Sequence, residues 1–278
     1  MTQSQDVARR LRERGFECEL LLVETLGDRT QADNVPLHAI GGQGVFVKEV
    51  QRAVLDGRAD VAVHSAKDLP SVDADGLEIG AFVERRSAAD VLIGSKLADL
   101  PAGAPVATGS VRRRAQLGRV RPDLEFRELR GNIPTRLERI PEGGAIVMAL
   151  AALEVLGLTD RVAEVLDPAQ FVPAVGQGCV AVECRIGDAS TAAALHAIDH
   201  APTRRAVTIE RAYLAELGAG CSLPVGAHVD GDVLHVFLSD SGTGATVSRA
   251  LALSGDATEN LSIARRAARE ALATVASR

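Results

Sequence analysis

The ten residues from Val61 to Pro70 combine a short apolar run with several polar side chains, among them the carboxylate of Asp68. The apolar start predicts a strand buried on both faces. Leu69 precedes proline and is therefore restricted to extended backbone, so no helix can begin there. A carboxylate at the end of such a strand faces the crevice in which open α/β sheets bind ligands. A single carboxylate is more often a helix cap or an ion-pair partner than a catalyst, and this segment alone leaves both interpretations open.

Arginines are concentrated in the middle of the chain. Residues 112–139 contain nine arginines, four acids and no lysine, within a chain whose net charge is −6. Guanidinium groups bind carboxylates and phosphates through paired hydrogen bonds, although most such runs are solvated faces. A basic first turn of a helix also opposes the helix dipole, which indicates that an anion completes the site. The arginines that follow predicted strand ends are Arg112, Arg113, Arg130 and Arg136, and the hydroxyl residues Thr108 and Ser110 precede the first pair.

The four cysteines are scattered at positions 18, 179, 184 and 221, as expected of reduced thiols in a cytosolic chain. The spacing of Cys179 and Cys184 does not match the C-x-x-C pairing of zinc sites, so no metal site is predicted. Cys221 lies on a turn of small residues that leaves room for a bulky group on its sulfur. A free cysteine is usually inert packing, but burial is hard to arrange in a loop.

A glycine-rich loop precedes the second predicted helix. It contains Gly42, Gln43, Gly44 and Phe46. Such loops let backbone N–H groups approach an anion, but the spacing is not that of dinucleotide-binding proteins. A flexible surface loop or lid is the simpler interpretation of this segment.

Composition argues against several functions. The chain has 278 residues, 46% of them apolar and 24% charged, which is typical of a soluble protein with two or three domains. An aromatic content of 3% and the negative net charge argue against a nucleic-acid partner. No apolar run reaches the roughly 20 residues that span a bilayer, and the polar start lacks the apolar core of a signal peptide. We therefore expect a cytoplasmic protein that binds neither nucleic acid nor a membrane.

Strands and helices alternate over most of the chain, which predicts α/β lobes with doubly wound parallel sheets, followed by a small α+β domain. Helices are predicted at about residues 3–14, 47–55, 111–117, 149–156, 203–217 and 259–276. Strands are predicted at about residues 17–23, 61–63, 90–93, 106–110, 124–129, 145–148, 179–184, 225–229, 233–238 and 247–253, with a hinge or crossover at 173–178.

Five motifs, taken in order from about Gln3 to the C-terminus, resemble those of the porphobilinogen deaminases, also called hydroxymethylbilane synthases. The motifs are His64-Ser65-Ala66-Lys67-Asp68-Leu69-Pro70; Ser110-Val111-Arg112-Arg113; Arg130-Gly131-Asn132-Ile133-Pro134-Thr135-Arg136; Pro173-Ala174-Val175-Gly176-Gln177-Gly178 with Glu183-Cys184-Arg185; and Glu210-Arg211 leading to Gly220-Cys221.

The resemblance implies an activity. The family joins four porphobilinogen units head to tail, losing ammonia at each step, into the linear tetrapyrrole hydroxymethylbilane. The product grows on a dipyrromethane cofactor that a thioether holds to a loop cysteine, whose position Cys221 matches. Asp68 matches the catalytic aspartate, whose carboxylate stabilises the cationic azafulvene formed as ammonia leaves and then helps to transfer protons.

The resemblance also implies roles for the other candidate residues. Each pyrrole carries an acetate and a propionate, so the growing product is a polyanion that arginines can bind. Arg112, Arg113, Arg130 and Arg136 match carboxylate-binding positions, Ser65, Lys67, Thr108 and Ser110 fall on cofactor or substrate contacts, and Gly42, Gln43, Gly44 and Phe46 belong to the loop or lid.

The fold that the resemblance implies has two lobes like those of periplasmic binding proteins and a small third domain. We expect residues 1–84 and 178–199 to form lobe 1 with the catalytic aspartate and the glycine-rich loop. Residues 85–177 would form the arginine-rich lobe 2, and residues 200–278 the C-terminal domain with the cysteine loop. We also expect a monomer with porphobilinogen as its small-molecule substrate.

Several positions depart from the family pattern. Ala39 and Gln43 replace frequent lysines, Val155 replaces a frequent arginine, Gly109 replaces a serine, and residues 87–90 read Ser-Ala-Ala-Asp instead of Asp-Pro-Arg-Asp. Each lost contact is worth about 1.5–3 kcal/mol if uncompensated. The family's opening strand with Arg-x-Gly-Thr-Arg-x-Ser is also missing, and a missed upstream start codon is the simplest explanation for its absence.

Three functions are therefore weighed. The first is the transferase that polymerises porphobilinogen. The second is a catalytically impaired paralogue that acts as a two-lobed binder of an anionic pyrrole or dicarboxylate, because the same fold serves many binding proteins. The third, a nucleic-acid-binding regulator that uses the arginine cluster, is disfavoured by the acidic balance and the scarcity of aromatic residues.

Overall fold

Three sheets organise the part of the chain that the computed structural model describes, namely residues 2–23, 47–218 and 223–277. Helices cover these sheets, so the chain is a mixed α/β protein. The helices are α1 (Thr2–Glu13), α2 (Lys48–Leu55), α3 (Val111–Val120), α4 (Ile133–Glu138), α5 (Leu150–Leu156), α6 (Ala189–His196), α7 (Ala201–Glu216) and α8 (Ala257–Ala276). None of the helices in the described ranges has the length and apolar character needed to cross a bilayer.

Sheet 1 contains β1 (Val61–Ser65), β2 (Leu77–Phe82) and β8 (Val180–Arg185), in the order β1-β8-β2. Strand β8 runs antiparallel to both neighbours, so β1 and β2 run in the same direction on either side of it. The predicted return of the strand at about residues 179–184 to the first sheet is confirmed. The predicted parallel pairing is wrong for these strands, because hydrophobic periodicity does not reveal which strands become neighbours.

Two local predictions near sheet 1 are also wrong. Residues 61–63 are not buried on both faces: burial alternates along β1, where Ala62 and His64 are buried and the other residues are partly exposed. The buried His64 side chain faces a carboxylate, with Nε2 3.0 Å from Glu183 Oε2. Residues 17–23 were expected to form a strand but have no regular secondary structure. No described strand pairs with them, and an extended segment without a partner does not form a ladder.

Sheet 2 has the order β5-β4-β6-β3-β7 and mixes both kinds of pairing. Its strands are β3 (Asp90–Ile93), β4 (Pro105–Ala107), β5 (Glu125–Arg127), β6 (Ala145–Ala149) and β7 (Glu164–Val165). Strand β4 lies parallel to β5 and β6, whereas β3 is antiparallel to β6 and β7. Leu117 of α3 packs on one face of the sheet and Leu153 of α5 on the other. Sheet 2 is thus the middle layer between helices.

Sheet 3 is an antiparallel meander of β9 (Val225–Asp230), β10 (Val233–Ser239) and β11 (Thr246–Ala252). Helices α7 and α8 cover it, and the core between them contains Tyr213, Leu234 and Ala268 with 0% exposure. The three strands and two long helices lie close to the predicted positions, because alternating apolar residues and long amphipathic runs are strong sequence signals.

Two chain segments connect sheet 1 with sheet 2. The first crossover, residues 83–89, leads from β2 to β3, and the second crossover, residues 172–179, leads back to β8. They lie side by side, since the Arg86 backbone N–H donates to Gly178 O at 2.9 Å. The crossover predicted at residues 173–178 is therefore confirmed.

The carboxylate of Glu210 on α7 joins the two crossovers to sheet 3. It is fully buried and accepts hydrogen bonds from the Arg85 guanidinium at 2.5 and 3.2 Å and from the Gly176 backbone N–H at 2.8 Å. The Val229 N–H of β9 donates to the same carboxylate at 2.9 Å. Burial raises the pKa of Glu210, but the charge of Arg85 and a contact with His228 outweigh it and lower the pKa to about 2. Glu210 is therefore ionised at neutral pH.

Alanine at Gly178 should destabilise the chain more than alanine at Gly187. Both glycines have left-handed backbone, with φ of 82° and 85°, so both substitutions carry the same strain of about 1–2 kcal/mol. A Cβ at Gly178 would also lie 2.5 Å from Ser87 O of the first crossover, whereas a Cβ at Gly187 meets nothing within 4 Å.

We expect Gly178→Ala to lower the free energy of unfolding by about 1–3 kcal/mol more than Gly187→Ala, because overpacking adds to the strain. Thermal unfolding of both variants measures the difference. Equal losses would contradict the close contact of the two crossovers.

Candidate active site

Asp68 lies on a short turn at the end of β1. Ser65 ends the strand, residues 66–68 form one 3₁₀ turn, and Leu69 has extended backbone with φ −70° and ψ 141°, as its position before proline predicts. Leu69 is buried and anchors the turn, while Asp68 is exposed. The Asp68 side chain forms no hydrogen bond or ion pair with any residue that the structure describes, so it is neither a helix cap nor an ion-pair partner within that part of the chain.

Arg112 and Arg113 share one buried carboxylate, that of Asp90 at the start of β3. Arg112 Nη2 lies 2.7 Å from Asp90 Oδ2, and Arg113 donates from Nε at 3.0 Å and from Nη2 at 2.7 Å to Oδ1. The remaining hydrogen bonds are to backbone: Arg112 donates to Val172 O at 2.6 Å and Arg113 to Val147 O at 3.1 Å. The two arginines are only 4% and 7% exposed, and Asp90 is completely buried.

This carboxylate explains the basic first turn of α3. Burial raises the pKa of Asp90, but the charges and hydrogen bonds of Arg112 and Arg113 outweigh it and hold the pKa far below its ordinary value. The sequence indicated that an anion completes the site, and the protein itself supplies one such anion. Because one carboxylate faces two guanidinium groups, the trio keeps a net positive charge.

Lys67 and Arg136 link the Asp68 turn to these arginines. Burial lowers the pKa of Lys67, the neighbouring charge of Asp68 raises it, and the charge of Arg113 lowers it further. Burial likewise lowers the pKa of Arg136, as do the charges of Arg113 and Arg130, while Asp68 opposes them. Asp68 therefore lies within electrostatic reach of Arg136 on α4, and the adjacent Lys67 within reach of Arg112 and Arg113 on α3.

Arg130 lies between β5 and α4, and Arg136 lies in the last turn of α4. Both side chains are half-buried. Arg130 Nη2 lies 3.8 Å from Glu128 Oε2, and Arg136 donates from Nε to Gly131 O at 2.7 Å. Most of their N–H donors are therefore available to a ligand.

The hydroxyl residues of the site hold backbone in place. Ser110 caps α3, where its Oγ accepts from the Arg113 N–H at 3.4 Å. Thr108 is 1% exposed, and its Oγ1 accepts from the Ser110 N–H at 3.2 Å. Ser65 Oγ accepts from the Gln3 side chain at 2.8 Å. All three hydroxyl groups accept hydrogen bonds within the protein, and the first two fix the start of the arginine-bearing helix.

The charges of the cluster favour an anionic ligand. It combines five cations with two carboxylates and so carries a net charge of +3 in a chain with net charge −6. Partial burial strengthens each electrostatic interaction relative to water. The members of the cluster are Lys67, Asp68, Asp90, Arg112, Arg113, Arg130 and Arg136.

Several predicted site residues lie outside the described part of the chain. They are Cys221 and the loop residues Gly42, Gln43, Gly44 and Phe46. Helix α7 ends at Glu216, shortly before the cysteine turn.

Sequence reasoning missed the residues that hold the cluster together. In the sequence Asp90 stands out only as part of a substituted turn, and Gln177 and Glu210 only as parts of motifs. An aspartate at the head of the otherwise apolar strand Asp90–Ile93 is the signal that could have identified a buried ion pair. Gln177 and Glu210, which are 1% and 0% exposed, carry no comparable signal because buried polar residues cannot be recognised from sequence alone.

Replacing Asp90 by asparagine should destabilise the chain strongly. The substitution leaves two buried guanidinium groups without a counter-charge, which costs about 3–5 kcal/mol. Asp123 provides a matched control, since its carboxylate also accepts two hydrogen bonds from one arginine, Arg121, but at the surface. We expect Asp123→Asn to cost far less, because a solvent-exposed ion pair contributes little to stability, and denaturant unfolding measures both losses. Similar losses of unfolding free energy in the two variants would contradict a stabilising role for the buried ion pairs of Asp90.

Comparison with known proteins identifies the family. A family model described as "Porphobilinogen deaminase, dipyromethane cofactor binding domain" matches residues 1–193, and one described as "Porphobilinogen deaminase, C-terminal domain" matches residues 204–239. The porphobilinogen deaminase of Acidothermus cellulolyticus is 47% identical over 234 residues, which cover 81% of this chain and 70% of that one. That of Thermobifida fusca is 47% identical over 235 residues, 82% of this chain and 72% of that one. That of Syntrophobacter fumaroxidans is 44% identical over 225 residues, covering 78% and 72%. The chain therefore belongs to the porphobilinogen deaminase family.

Proposed function

We propose that this chain is a hydroxymethylbilane synthase, a transferase that condenses four porphobilinogen molecules into a linear tetrapyrrole with loss of ammonia at each step. Its family membership and the match of residues 1–193 to a dipyrromethane cofactor-binding domain support this function. The observation that carries it is the charged cluster, in which the exposed carboxylate of Asp68 lies within electrostatic reach of Arg136, and the neighbouring Lys67 within reach of Arg112 and Arg113.

The cluster fits the dipyrromethane cofactor. Each pyrrole ring carries two carboxylates, and the cluster has a surplus of positive charge. Each guanidinium group has five N–H donors, of which Arg112 uses two and Arg113 three within the protein. The remaining donors would bind carboxylates of the cofactor and of the pyrrole units added to it. We assign the thioether to Cys221, and the bound cofactor supplies the primer to which substrate units are added.

Asp68 performs the chemistry at the reacting substrate. Its carboxylate stabilises the positive charge that develops on the pyrrole as ammonia leaves, and then transfers a proton within the site. A side chain with no competing partner among the described residues is free to do this.

The other candidate residues bind and orient the ligands. Arg130 and Arg136 hold carboxylates of the substrate, and Lys67 adds a donor next to the reacting ring. Ser65, Thr108 and Ser110 contact the cofactor or fix the backbone beside it. The loop with Gly42, Gln43, Gly44 and Phe46 acts as a lid, an assignment that rests on the family resemblance.

The three sheets support an arrangement of two lobes and a third domain. We assign residues 1–84 and 178–199 to lobe 1, residues 85–177 to lobe 2 and residues 200–278 to the C-terminal domain. Sheet 1, sheet 2 and sheet 3 fall within these ranges, and the crossovers lie at the boundary between the lobes. We further propose a monomeric cytoplasmic enzyme that does not bind nucleic acid, consistent with the acidic balance of the chain.

The departures from the family pattern leave the core of the cluster in place. The turn at residues 87–90 loses three family side chains but keeps Asp90. At Gly109 a Cβ would lie 3.0 Å from Leu129 O, so the serine that the family resemblance leads us to expect would require a small shift of this backbone. Val155 is partly buried on α5 and contributes no charge. These substitutions are expected to weaken substrate binding rather than remove the catalytic carboxylate.

Replacing Cys221 by serine should abolish the covalent adduct. Intact-mass measurement of the purified wild-type chain should show the mass of two additional pyrrole units, because the thiolate is the nucleophile that forms the thioether. Cys18→Ser is the control and should keep the adduct. An unmodified wild-type chain, or equal adduct loss in both variants, would instead point to the alternative of a ligand-binding paralogue.

Replacing Asp68 by asparagine should lower kcat at least about 100-fold while the adduct is largely retained, because the amide keeps the size of the side chain but loses its charge and its proton transfer. Asp75→Asn, a neutralised acid at an exposed position nearby, serves as the control. The measurement is the rate of porphobilinogen consumption. A kcat near that of the wild type would remove Asp68 from the catalytic role.

A further inference from the structure

Gln177 occupies the second crossover at the point where it meets the first. The side chain is 1% exposed, and its amide nitrogen donates to Ala88 O at 2.7 Å and to Asp90 Oδ1 at 2.9 Å. Both partners are acceptors, so the orientation of the amide is determined. The backbone oxygen of Gln177 accepts from Arg85 Nε at 2.9 Å. One residue thus contacts the first crossover twice and the arginine-binding carboxylate once.

The residue before Gln177 contacts the other half of the site. A Cβ on Gly176 would lie 2.9 Å from Ala66 Cβ and 3.3 Å from Lys67 N, so the second crossover packs directly against the turn that carries Asp68. The Gly176 N–H donates to Glu210 at 2.8 Å. Two consecutive residues therefore touch the catalytic turn, the helix that leads to the cysteine loop, and Asp90.

The position of Asp90 determines the direction of two guanidinium groups. Its carboxylate has three donors, namely Arg112, Arg113 and the amide of Gln177. The arginines are also anchored to backbone at Val172 O and Val147 O, whereas the amide ties the carboxylate to the first crossover at Ala88 O. Without the amide the ion pairs to both carboxylate oxygens remain, but one of the contacts that orient Asp90, and through it the unused N–H donors of the arginines, is lost.

We infer that Gln177 is a positioning residue for the carboxylate-binding site: by fixing Asp90 to the crossovers it aligns Arg112 and Arg113 with the Asp68 turn. This inference rests on the proposed function. Arginines that bind ring carboxylates away from the reacting bond stabilise the ground state and the transition state alike. Misalignment should therefore raise KM and leave kcat nearly unchanged.

Gln116 provides a matched control. It is also a buried glutamine, 5% exposed, and it holds the second crossover by donating to Val172 O at 2.9 Å and accepting from the Val172 N–H at 2.7 Å. It does not contact Asp90. Gln116→Leu and Gln177→Leu should therefore lower the thermal unfolding midpoint to a similar degree.

Only Gln177→Leu should change ligand binding. We expect its KM for porphobilinogen to rise about tenfold or more with kcat within about threefold of the wild type, and KM of Gln116→Leu to stay unchanged. Intact mass gives a readout that does not depend on activity: the fraction of chains with the dipyrromethane adduct should be lower in Gln177→Leu than in Gln116→Leu. Equal KM values and equal adduct fractions in the two variants would overturn the inference.

Gln177→Glu tests the same point if Gln177→Leu does not fold. An ionised carboxylate here would directly face Asp90 and Ala88 O, which raise its pKa, while the guanidinium groups of Arg112 and Arg113 on Asp90 and of Arg85 on the Gln177 backbone oxygen oppose that shift; the protonated form can donate to Asp90 as the amide does. The ratio of variant KM to wild-type KM should therefore fall towards one as the pH is lowered. A ratio that does not change with pH would contradict the positioning role. A wild-type chain that does not consume porphobilinogen would refute the proposed function instead, independently of these comparisons.

Discussion

The contact of Asp90 with two arginines is the interaction on which the rest of the site depends. Guanidinium groups that are 4% and 7% exposed require a counter-charge, and Asp90 is the carboxylate that meets both. One negative charge cannot neutralise two positive charges, so the trio stays cationic in a partly dry environment. The same contact thus stabilises the core of sheet 2 and leaves a binding site for anions. The ion pairs that stabilise sheet 2 are therefore also the source of the affinity of the site for carboxylates.

The two crossovers connect the Asp90 ion pairs to sheet 1 and sheet 3 through buried hydrogen bonds and close packing. Glu210 joins the first crossover, the second crossover and β9 through a single carboxylate, and its low pKa keeps it charged at neutral pH. Gly176 and Gln177, adjacent in the second crossover, contact the Asp68 turn and Asp90. The acid and the arginines belong to different sheets, and their separation is therefore fixed by buried hydrogen bonds between connecting segments. Packing within either sheet does not determine it.

Sequence analysis found the parts of the site that local chemistry specifies. Pro70 fixed the backbone of the Asp68 turn, and alternating apolar residues located the strands of sheet 3. Longer-range features could not be predicted. Strand β8 lies between β1 and β2 because of the path of the whole chain, and the partner of the basic turn of α3 is a carboxylate on a different strand. Periodicity describes which face of an element is buried, and it does not describe which element covers that face.

The insertion of β8 into the middle of sheet 1 has a consequence for the order of folding. Val61 pairs with Cys184, far later in the sequence, whereas all strands of sheet 2 lie between Asp90 and Val165. On the ribosome, sheet 2 can be complete while β1 and β2 still lack the strand that separates them. Distant pairing is slow because a long loop must close first. Sheet 2 and the arginines beside it are thus expected to fold early in synthesis. Sheet 1, which carries Asp68, can be completed only after nearly two thirds of this sequence has emerged.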